Sequence, residues 1–279
     1  MNCSDDVTIA IVSYNSFQAI TSCLSELIDS GSFPVLIIDN ASSDNTAEML
    51  EQRFPHATLI KSPRNLGYGR AANLAMESST TKYLFLINPD LKASASDVTK
   101  LLSTFKDQGD QVALLAPSVE EKTHTGEGLI EQKWVIGAAM MFNMKTLNSV
   151  GGFDENIFLF SEETDLCMRI QNAGLKIMLD TDLYIEHLYR QSCAPNPKTE
   201  ALKDWHQAWS RMYFEHKYGL DHGKRNRYRV TANYLIKYIF ATDPVKKARY
   251  KYRYLGSKAF MKGQPAIDRS GAPYVPQTC

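Results

Sequence analysis

Short runs of apolar residues alternate with longer amphipathic stretches along the first part of the chain. The runs at 7–13, 35–38, 57–60 and 83–87 are rich in β-branched and aromatic residues. Such runs are typical of strands that are buried on both faces of a sheet. Apolar residues between the runs recur at helical spacing, so strands and helices alternate with short links. This order predicts right-handed βαβ units, and hence an α/β fold with a mainly parallel sheet between helices.

The same alternation continues through the middle of the chain. In chain order the predicted elements are a helix at 94–105, a strand at 112–116, a polar surface loop at 118–132, a strand at 134–142, a helix capped by Ser161 that ends at Gly174, and strands at 176–179 and 183–185. Gly137 lies inside one of these strands. A glycine there indicates close approach of a ligand or of another backbone segment.

Polar residues follow three of the predicted strands. Tyr14 and Asn15 come after the first strand, Asp39 comes after the second, and the fourth ends in Asn-Pro-Asp at 88–90. Proline cannot donate to a strand ladder, so the fourth strand must end before Asp90. Taken singly, Asp39 could be a helix cap and Asp90 part of a turn. Because open α/β sheets bind ligands at the carboxyl edge of their strands, several polar strand ends together favour a binding site.

Two glycines precede a predicted helix between the third and fourth strands. Gly67 and Gly69 let backbone amides approach an anion at the helix N-terminus, and Arg70 adds a fixed positive charge. A diphosphate fits this pattern. A tight turn explains the same glycines, since the third glycine of a dinucleotide-binding fingerprint is absent.

Three acidic residues crowd the start of the helix after Ser161. Glu162, Glu163 and Asp165 are favoured there by the helix dipole, at about 0.3–1 kcal/mol each. Crowding of like charges also raises the pKa of at least one carboxyl group, which prepares a general base. Asp165 and Arg169 are four positions apart and are expected to pair, which leaves the two glutamates available.

His187 follows the last of the predicted strands. A histidine at a strand end is commonly a surface or hydrogen-bonded residue. It is a candidate metal ligand only if it lies close to Asp90.

The spacing of the cysteines and the first residues of the chain indicate the cellular compartment. The five cysteines are odd in number, widely spaced and never in a C-x-x-C pair; they are Cys3, Cys23, Cys167, Cys193 and Cys279. This pattern is typical of reduced cytosolic thiols rather than a disulfide or zinc framework. The opening MNCSDD has no basic region followed by an apolar one, so we expect no secretory signal. No apolar run approaches the ~20 residues of a membrane-spanning helix.

Seven motifs in order carry a family likeness: VTIAIVSYN, VLIIDNASSDNT, NLGYGRAAN, LFLINPD, IGAAMMF, GGFDENIFLFSEETDLCMRIQNAG and IEH. With them the chain resembles glycosyltransferase family 2, in its rhamnosyltransferase-like branch, from residue 7 to about 192. The resemblance implies a GT-A fold that transfers a sugar from a nucleotide diphosphate donor to an acceptor hydroxyl, with inversion at the anomeric carbon. The predicted enzyme acts in cell-surface polysaccharide biosynthesis on a glycan or lipid-linked acceptor.

The resemblance also implies site residues. Those matching donor-binding positions, for a UDP or dTDP sugar, are Tyr14, Asn15, Asp39, Asn65, Gly67, Arg70, Asn88 and Asp90. Asp90 matches the last carboxylate of the family's D-x-D element and, with His187, is expected to hold Mg²⁺ or Mn²⁺. Glu163 matches the catalytic base.

The chain departs from the family pattern in three places. Asn88 occupies the first D-x-D position, so the metal depends mainly on one carboxylate and on more water or phosphate oxygens. Glu163 stands where the family more often has aspartate, which keeps Glu162 and Asp165 as alternative bases. The Q-x-x-R-W element of processive members is absent, which favours addition of a single sugar.

A catalytically silent nucleotide-sugar or membrane-binding protein remains the alternative function. A nucleotidyltransferase is a third option, but its glycine- and lysine-rich loop is missing after the first strand.

Charge divides the chain into two parts. Residues 1–202 carry 15 Lys and Arg against 26 Asp and Glu, whereas 203–262 carry 15 against 4. We expect a catalytic domain at 1–200 and a helical basic region at 201–279, with an amphipathic helix from Leu202 and a poorly ordered end from Gln264. Basic residues mixed with Tyr and Trp suit an anionic membrane surface, which predicts a cytoplasmic protein peripheral to the inner face of the membrane. A helical lid and RNA binding are the alternatives, although no nucleic-acid module is recognisable.

Overall fold

The computed structural model describes residues 6–188 and 196–276. The strands within these ranges are β1 (Val7–Ser13), β2 (Val35–Asp39), β3 (Thr58–Lys61), β4 (Tyr83–Ile87), β5 (Leu91–Lys92), β6 (Val112–Ser118), β7 (Leu129–Glu131), β8 (Ala139–Asn143), β9 (Lys176–Tyr184) and β10 (Glu186–His187). The helices are α1 (Phe17–Cys23), α2 (Ser25–Asp29), α3 (Thr46–Arg53), α4 (Tyr68–Ser78), α5 (Ala95–Lys106), α6 (Met144–Val150), α7 (Glu162–Asn172), α8 (Pro197–Lys217), α9 (Lys224–Phe240) and α10 (Pro244–Met261).

Among the described residues, eight strands form one sheet in the order β3-β2-β1-β4-β8-β6-β9-β7. The first four strands of this order are parallel, β8 runs against both β4 and β6, and β9 is parallel to β6. Helices flank the sheet. The side chains of β1, β2, β4, β6 and β8 are buried as the continuous apolar runs require, whereas those of the edge strands β3 and β7 are partly exposed. The predicted α/β class and mainly parallel sheet are therefore confirmed.

The register brings three polar strand ends to one edge of the sheet. β1 lies between β2 and β4, with Ser13 opposite Asp39 and Ile11 opposite Ile87. Because these strands are parallel, the residues that follow them emerge side by side. The fold thus assembles the edge at which the sequence predicted a binding site.

Several elements differ from the predicted boundaries. The strand predicted at 134–142 begins only at Ala139, as β8. β9 is one strand from Lys176 to Tyr184, where the sequence predicted two short ones. It passes the polar Asp180 because this carboxylate accepts hydrogen bonds from the backbone amides of Asp182 and Leu183. The predicted surface loop at 118–132 contains β7, which pairs with β9 and forms the edge of the sheet.

The described residues fold into two compact units. One comprises 6–65, 70–153 and 163–188 and contains the sheet. The other comprises 66–69, 154–162 and 196–276 and contains α8, α9 and α10. In the second unit α10 lies against α8 so closely that a Cβ on Gly256 would be 2.1 Å from the carbonyl oxygen of Trp205.

The chain end packs on α8. The Trp209 indole N–H donates to the Gln264 carbonyl at 2.8 Å, and His206 Nε2 donates to the Tyr274 carbonyl at 3.0 Å. The Tyr274 ring stacks on Trp205. The prediction of a poorly ordered end is therefore wrong for 264–276, because partners on α8 order this segment despite its three prolines and one glycine.

The structure also bears on membrane spanning and on the state of the cysteines. Within 6–188 and 196–276, no helix has the length and apolarity to cross a bilayer. Cys23 and Cys167 are buried free thiols, and burial raises the pKa of Cys167 to about 12. The predictions for Cys3, Cys193 and Cys279 lie outside the described residues.

Candidate active site

Asn15 connects the ends of β1 and β2. Its backbone has a φ of 51°, and its amide donates to Ser42 Oγ at 2.9 Å. Its side chain accepts from the Ser43 amide at 2.8 Å and donates to Ser43 Oγ at 3.1 Å. The preceding Tyr14 is half-buried. These bonds hold the two strand ends together as one polar surface.

Asp39 is buried at the end of β2 and organises the loop that follows. Its carboxylate accepts from the Ser42 hydroxyl at 2.5 Å and from the Ser42 amide at 3.1 Å. Asn45, and not Asp39, occupies the N-cap position of α3. The structure thus removes the helix cap as an explanation for Asp39 and shows a carboxylate that organises the loop at the sheet edge, while its contact with a ligand remains a prediction.

Asn65 lies close to this loop. The Asn40 side chain donates to Asn65 Oδ1 at 3.2 Å, which joins the segment before α4 to the end of β2. Asn65 is half-buried, as is Arg70 in the first turn of α4. Both side chains therefore retain exposed surface for a ligand.

Packing accounts for Gly67. Its φ is 81°, a conformation that glycine adopts without strain. A Cβ at this position would lie 2.0 Å from the carbonyl oxygen of Phe158, and that oxygen accepts from the Tyr68 amide at 3.2 Å. The tight turn considered from the sequence is thus present, and contact with an anion remains a prediction for this glycine.

Asp90 and His187 lie together, which is the condition that the sequence set for a metal site. Asp90 is 1% exposed, and its Oδ1 lies 3.4 Å from His187 Nε2. The antiparallel pair β5–β10 sets His187 opposite Leu91, and the Leu188 amide donates to the Asp90 carbonyl at 3.0 Å. The position of the imidazole is thus fixed by backbone pairing on both sides of it.

The pair fits a divalent ion. Carboxylate oxygen and imidazole nitrogen bind small divalent ions such as Zn²⁺ at about 2.0–2.2 Å, and two ligands of one ion can be 3.4 Å apart. Among the described residues no cluster of three or more His, Cys, Asp or Glu side chains is arranged for a metal. Two protein ligands leave most of the coordination sphere to water or to the oxygens of a bound diphosphate, a mode that Mg²⁺ also uses.

The turn before α7 is strained. Phe160 and Ser161 both have a φ of 67°, an uncommon conformation for non-glycine residues that costs about 1–3 kcal/mol each. An N-cap serine normally has an extended backbone, so Ser161 differs from the predicted cap. Glu162 follows directly and is buried. Strained backbone of this kind is concentrated at functional sites. Here the strained turn fixes the position at which α7 begins, and with it the positions of Glu162 and Glu163.

Glu163 is half-buried beside Gly137. A Cβ on Gly137 would lie 3.2 Å from the Glu163 Cβ, so the glycine gives this side chain its room. Burial raises the pKa of Glu163 above its ordinary value. The close approach predicted at Gly137 is therefore made by the Glu163 side chain. Because Glu163 is distant in sequence from Gly137, the local sequence does not identify it as the partner.

Asp165 is committed to a structural ion pair. It is fully buried and binds Arg169 Nε at 2.8 Å, which confirms the predicted pairing. Arg169 also donates to the carbonyls of Val150 at 3.1 Å, Gly151 at 3.2 Å and Gly152 at 2.5 Å. The ion pair between Asp165 and Arg169 therefore anchors the end of α6. This leaves Glu162 and Glu163 as the candidate bases.

Comparison with known proteins agrees with this architecture. The model of the family described as "Glycosyl transferase family 2" matches residues 8–163. The chain is 23% identical over 235 residues to N-acetylglucosaminyl-diphospho-decaprenol L-rhamnosyltransferase of Mycobacterium tuberculosis, covering 63% of this chain and 76% of that protein. It is 22% identical to the low-salt glycan biosynthesis hexosyltransferase Agl10 of Haloferax volcanii, covering 62% of this chain and 64% of that protein.

Solved structures show the same fold. The mannosyltransferase PcManGT from Pyrobaculum calidifontis, in complex with GDP-Man and Mn²⁺, has a TM-score of 0.62 at 15% identity and covers 92% of this chain and 87% of its own. The S. aureus TarS fragment 1-349 with UDP has a TM-score of 0.58 at 15% identity, covering 93% of this chain and 92% of its own. With a family model that matches more than half of its length, and with this fold, the chain belongs to glycosyltransferase family 2 and is a GT-A glycosyltransferase.

Proposed function

We propose that this enzyme is an inverting, metal-dependent transferase that adds a single sugar from a UDP- or dTDP-linked donor. Its acceptor is a hydroxyl of a glycan or lipid-linked precursor in cell-surface polysaccharide biosynthesis. The relative from M. tuberculosis, whose name specifies a diphospho-decaprenol acceptor, supports this acceptor class.

One linkage in the structure carries the proposal. Gly137 meets the Glu163 side chain, while the carbonyl of the next residue, Ala138, accepts from the Asn88 amide at 2.8 Å. Asn88 is two residues before Asp90. The candidate base and the candidate metal ligand are therefore connected through two adjacent residues, as an enzyme needs when one group activates the acceptor and another neutralises the leaving diphosphate.

The proposed reaction transfers one proton and replaces one carbon–oxygen bond by another. Glu163 takes the proton of the acceptor hydroxyl, whose oxygen attacks the anomeric carbon opposite the diphosphate. The carbon–oxygen bond to the diphosphate breaks, and the electron pair leaves with the nucleoside diphosphate. Asp90 and His187 would hold a divalent ion, which would supply Lewis-acid neutralisation of that charge. Attack on the face opposite the leaving group inverts the anomeric carbon.

Donor recognition is proposed for the polar strand ends. Asp39 is assigned to the base, Tyr14 and Asn15 to the nucleoside, and Arg70 to base or phosphate. Asn65, Gly67 and Asn88 complete the proposed donor-binding set. The hydrogen bonds that join the loops after β1 and β2 support this assignment, because a nucleotide site requires a prearranged polar surface.

A thermal-shift experiment tests donor and metal together. UDP or dTDP with Mn²⁺ is expected to raise the melting temperature by several degrees, since ligand at a hundred times its Kd stabilises by about 2.7 kcal/mol. EDTA should remove most of the shift, and AMP serves as the control nucleotide. The proposed site is wrong if none of UDP, dTDP and GDP stabilises the protein with Mn²⁺ present.

Peripheral attachment to an anionic inner leaflet is the proposed location. Within the described residues, α9 contributes no buried side chain, and Ile236, Ile239 and Phe240 on it are exposed, the last at 76%. Val245 is exposed at the start of α10. Residues 224–262 carry 12 Lys and Arg and one acidic residue. Apolar side chains within such positive charge match the chemistry of an anionic lipid surface.

Side-chain packing favours different candidate residues for this attachment from those that the sequence suggested. The sequence pointed to the tyrosines of this region, but Tyr252 is buried in the cluster with Trp205 and Trp209. The Lys237 ammonium lies over the Tyr250 ring at 5.6 Å. Since Tyr252 serves helix packing and Tyr250 a cation–π contact, the exposed aliphatic residues and Phe240 are the better candidates for insertion.

Vesicle co-sedimentation tests this surface. At low salt the protein is expected to bind vesicles of phosphatidylcholine and phosphatidylglycerol but not of phosphatidylcholine alone. Replacing Ile239 and Phe240 by serine should weaken binding by at least about a hundredfold, because each buried apolar side chain contributes roughly 1.5–3 kcal/mol and every 1.4 kcal/mol is about tenfold. Val275→Ser, which changes an exposed apolar residue outside α9, is the matched control. Equal binding by both variants, or no preference for the anionic vesicles, would contradict the proposal.

A further inference from the structure

Trp134 is an exposed indole on the unit that holds the sheet. All three tryptophans of the chain lie in its described part, and Trp205 and Trp209 are buried in the helical unit. Trp134, by contrast, is 55% exposed. It precedes β8, in a segment that the sequence predicted as strand and that the structure shows as irregular. An exposed tryptophan presents a large apolar face to solvent, which is typical of a recognition site.

The segment that bears Trp134 is fixed along α7. Its Lys133 carbonyl accepts from the Gln171 side chain at 2.5 Å, and the Val135 backbone hydrogen-bonds to the Cys167 thiol. Gly137 then meets Glu163. The three partners on α7 are spaced four residues apart, so they form one row along the helix. This row fixes the segment relative to the proposed catalytic base.

The chain length limits how far Trp134 can be from that base. It is three positions before Gly137 in the sequence, so their Cα atoms are at most about 11 Å apart even in a fully extended chain. The indole is therefore within reach of a sugar whose hydroxyl lies at Glu163, or of the next sugar along the same acceptor.

We propose that Trp134 is the stacking platform for the acceptor carbohydrate. The inference rests on the proposed function and adds the chemical class of its acceptor: a pyranoside whose C–H face packs on the indole ring. The neighbours of Trp134 favour a sugar over a lipid chain. Glu131, Gln132, Lys133 and Gln171 are polar and balanced in charge, unlike the basic surface of α9. Sugars need both an apolar face and nearby hydrogen-bonding groups.

Tryptophan fluorescence gives a direct test without turnover. Methyl glycosides of N-acetylglucosamine, glucose, galactose, mannose and rhamnose are titrated into the protein, with glycerol as the polyol control. At least one glycoside is expected to shift the emission to shorter wavelength and to reduce acrylamide quenching. Trp134→Phe should abolish both changes, because the two remaining indoles are buried. The proposal is overturned if no glycoside alters the emission, or if the change persists in the variant.

Kinetics separate stacking from a structural role. With the glycoside that supports transfer, Trp134→Ala should raise the acceptor KM about tenfold and leave the donor KM unchanged. Trp134→Tyr should restore most of the loss. An unchanged acceptor KM in Trp134→Ala overturns the proposal. Donor-induced thermal stabilisation is measured separately, so failure of this inference with an intact donor response leaves the proposed function standing.

Discussion

Glu163→Gln is expected to reduce kcat by about 10²–10⁴-fold, the usual contribution of a general base. Glutamine keeps the shape that fits beside Gly137 but does not accept the proton of the acceptor hydroxyl. Donor binding should be unaffected, because the residue acts on the acceptor side. Steady-state transfer assays, with the UDP or dTDP thermal shift measured on the same preparation, separate the two effects.

The same substitution should stabilise the protein at neutral pH. Burial raises the pKa of Glu163 in the folded state, so between the unfolded and folded pKa values the folded protein binds more protons. Stability then falls as pH rises through this window. Glu163→Gln removes that cost and should melt a few degrees higher at pH 7, given about 2–4 °C per kcal/mol. The difference should vanish at a pH below the ordinary glutamate value, where both side chains are neutral.

The pH dependence of the rate has the same origin. A base must be deprotonated to work, so activity falls as pH drops through its pKa. Because the Glu163 pKa is raised, the acid limb of the wild-type profile should lie above the ordinary value for glutamate. The residual activity of Glu163→Gln should lack this limb.

Other carboxylates provide controls. Glu51 is exposed and pairs with Lys61, so Glu51→Gln should leave the rate unchanged. Asp165→Asn should lower stability, because it leaves Arg169 without its buried partner. If Glu162→Gln loses the rate and Glu163→Gln keeps it, the base is Glu162. Donor binding without turnover in the wild type would instead favour the catalytically silent alternative.

Features with a short sequence range were predictable. Apolar runs and Pro89 locate the ends of the parallel strands, so Asp39 and Asp90 could be expected at one edge. The pairing of Asp165 with Arg169 follows from helical spacing alone. The basic helices after residue 200 could be read from charge and periodicity in the same way.

Features that depend on distant partners were not predictable. Gly67 is set by the Phe158 carbonyl and Gly137 by Glu163, and neither partner is a sequence neighbour. The end of the chain is ordered by Trp205, His206 and Trp209, although its own composition is that of a loop. Local propensity favours some conformations of a segment over others, but it carries no information about contacts with residues that are distant in sequence.

Asp90→Asn is expected to abolish the Mn²⁺-dependent part of donor stabilisation and to lower kcat by at least about 10²-fold. The change keeps the side-chain shape at the end of β4 but removes the carboxylate that faces His187 at 3.4 Å. With Asn88 in the first D-x-D position, the chain has no second carboxylate there to compensate.

Asn88→Asp is the matched counterpart of that substitution. It adds a carboxylate at the first D-x-D position, so saturation of the thermal shift should require less Mn²⁺ than in the wild type, since added carboxylate charge strengthens binding of hard cations. Titrating Mn²⁺ at saturating UDP or dTDP measures both variants, and melting without ligand checks that each is folded. If Asp90→Asn retains the full Mn²⁺ response, the ion is not held at Asp90 and His187, and other groups, such as the donor diphosphate itself, must bind it.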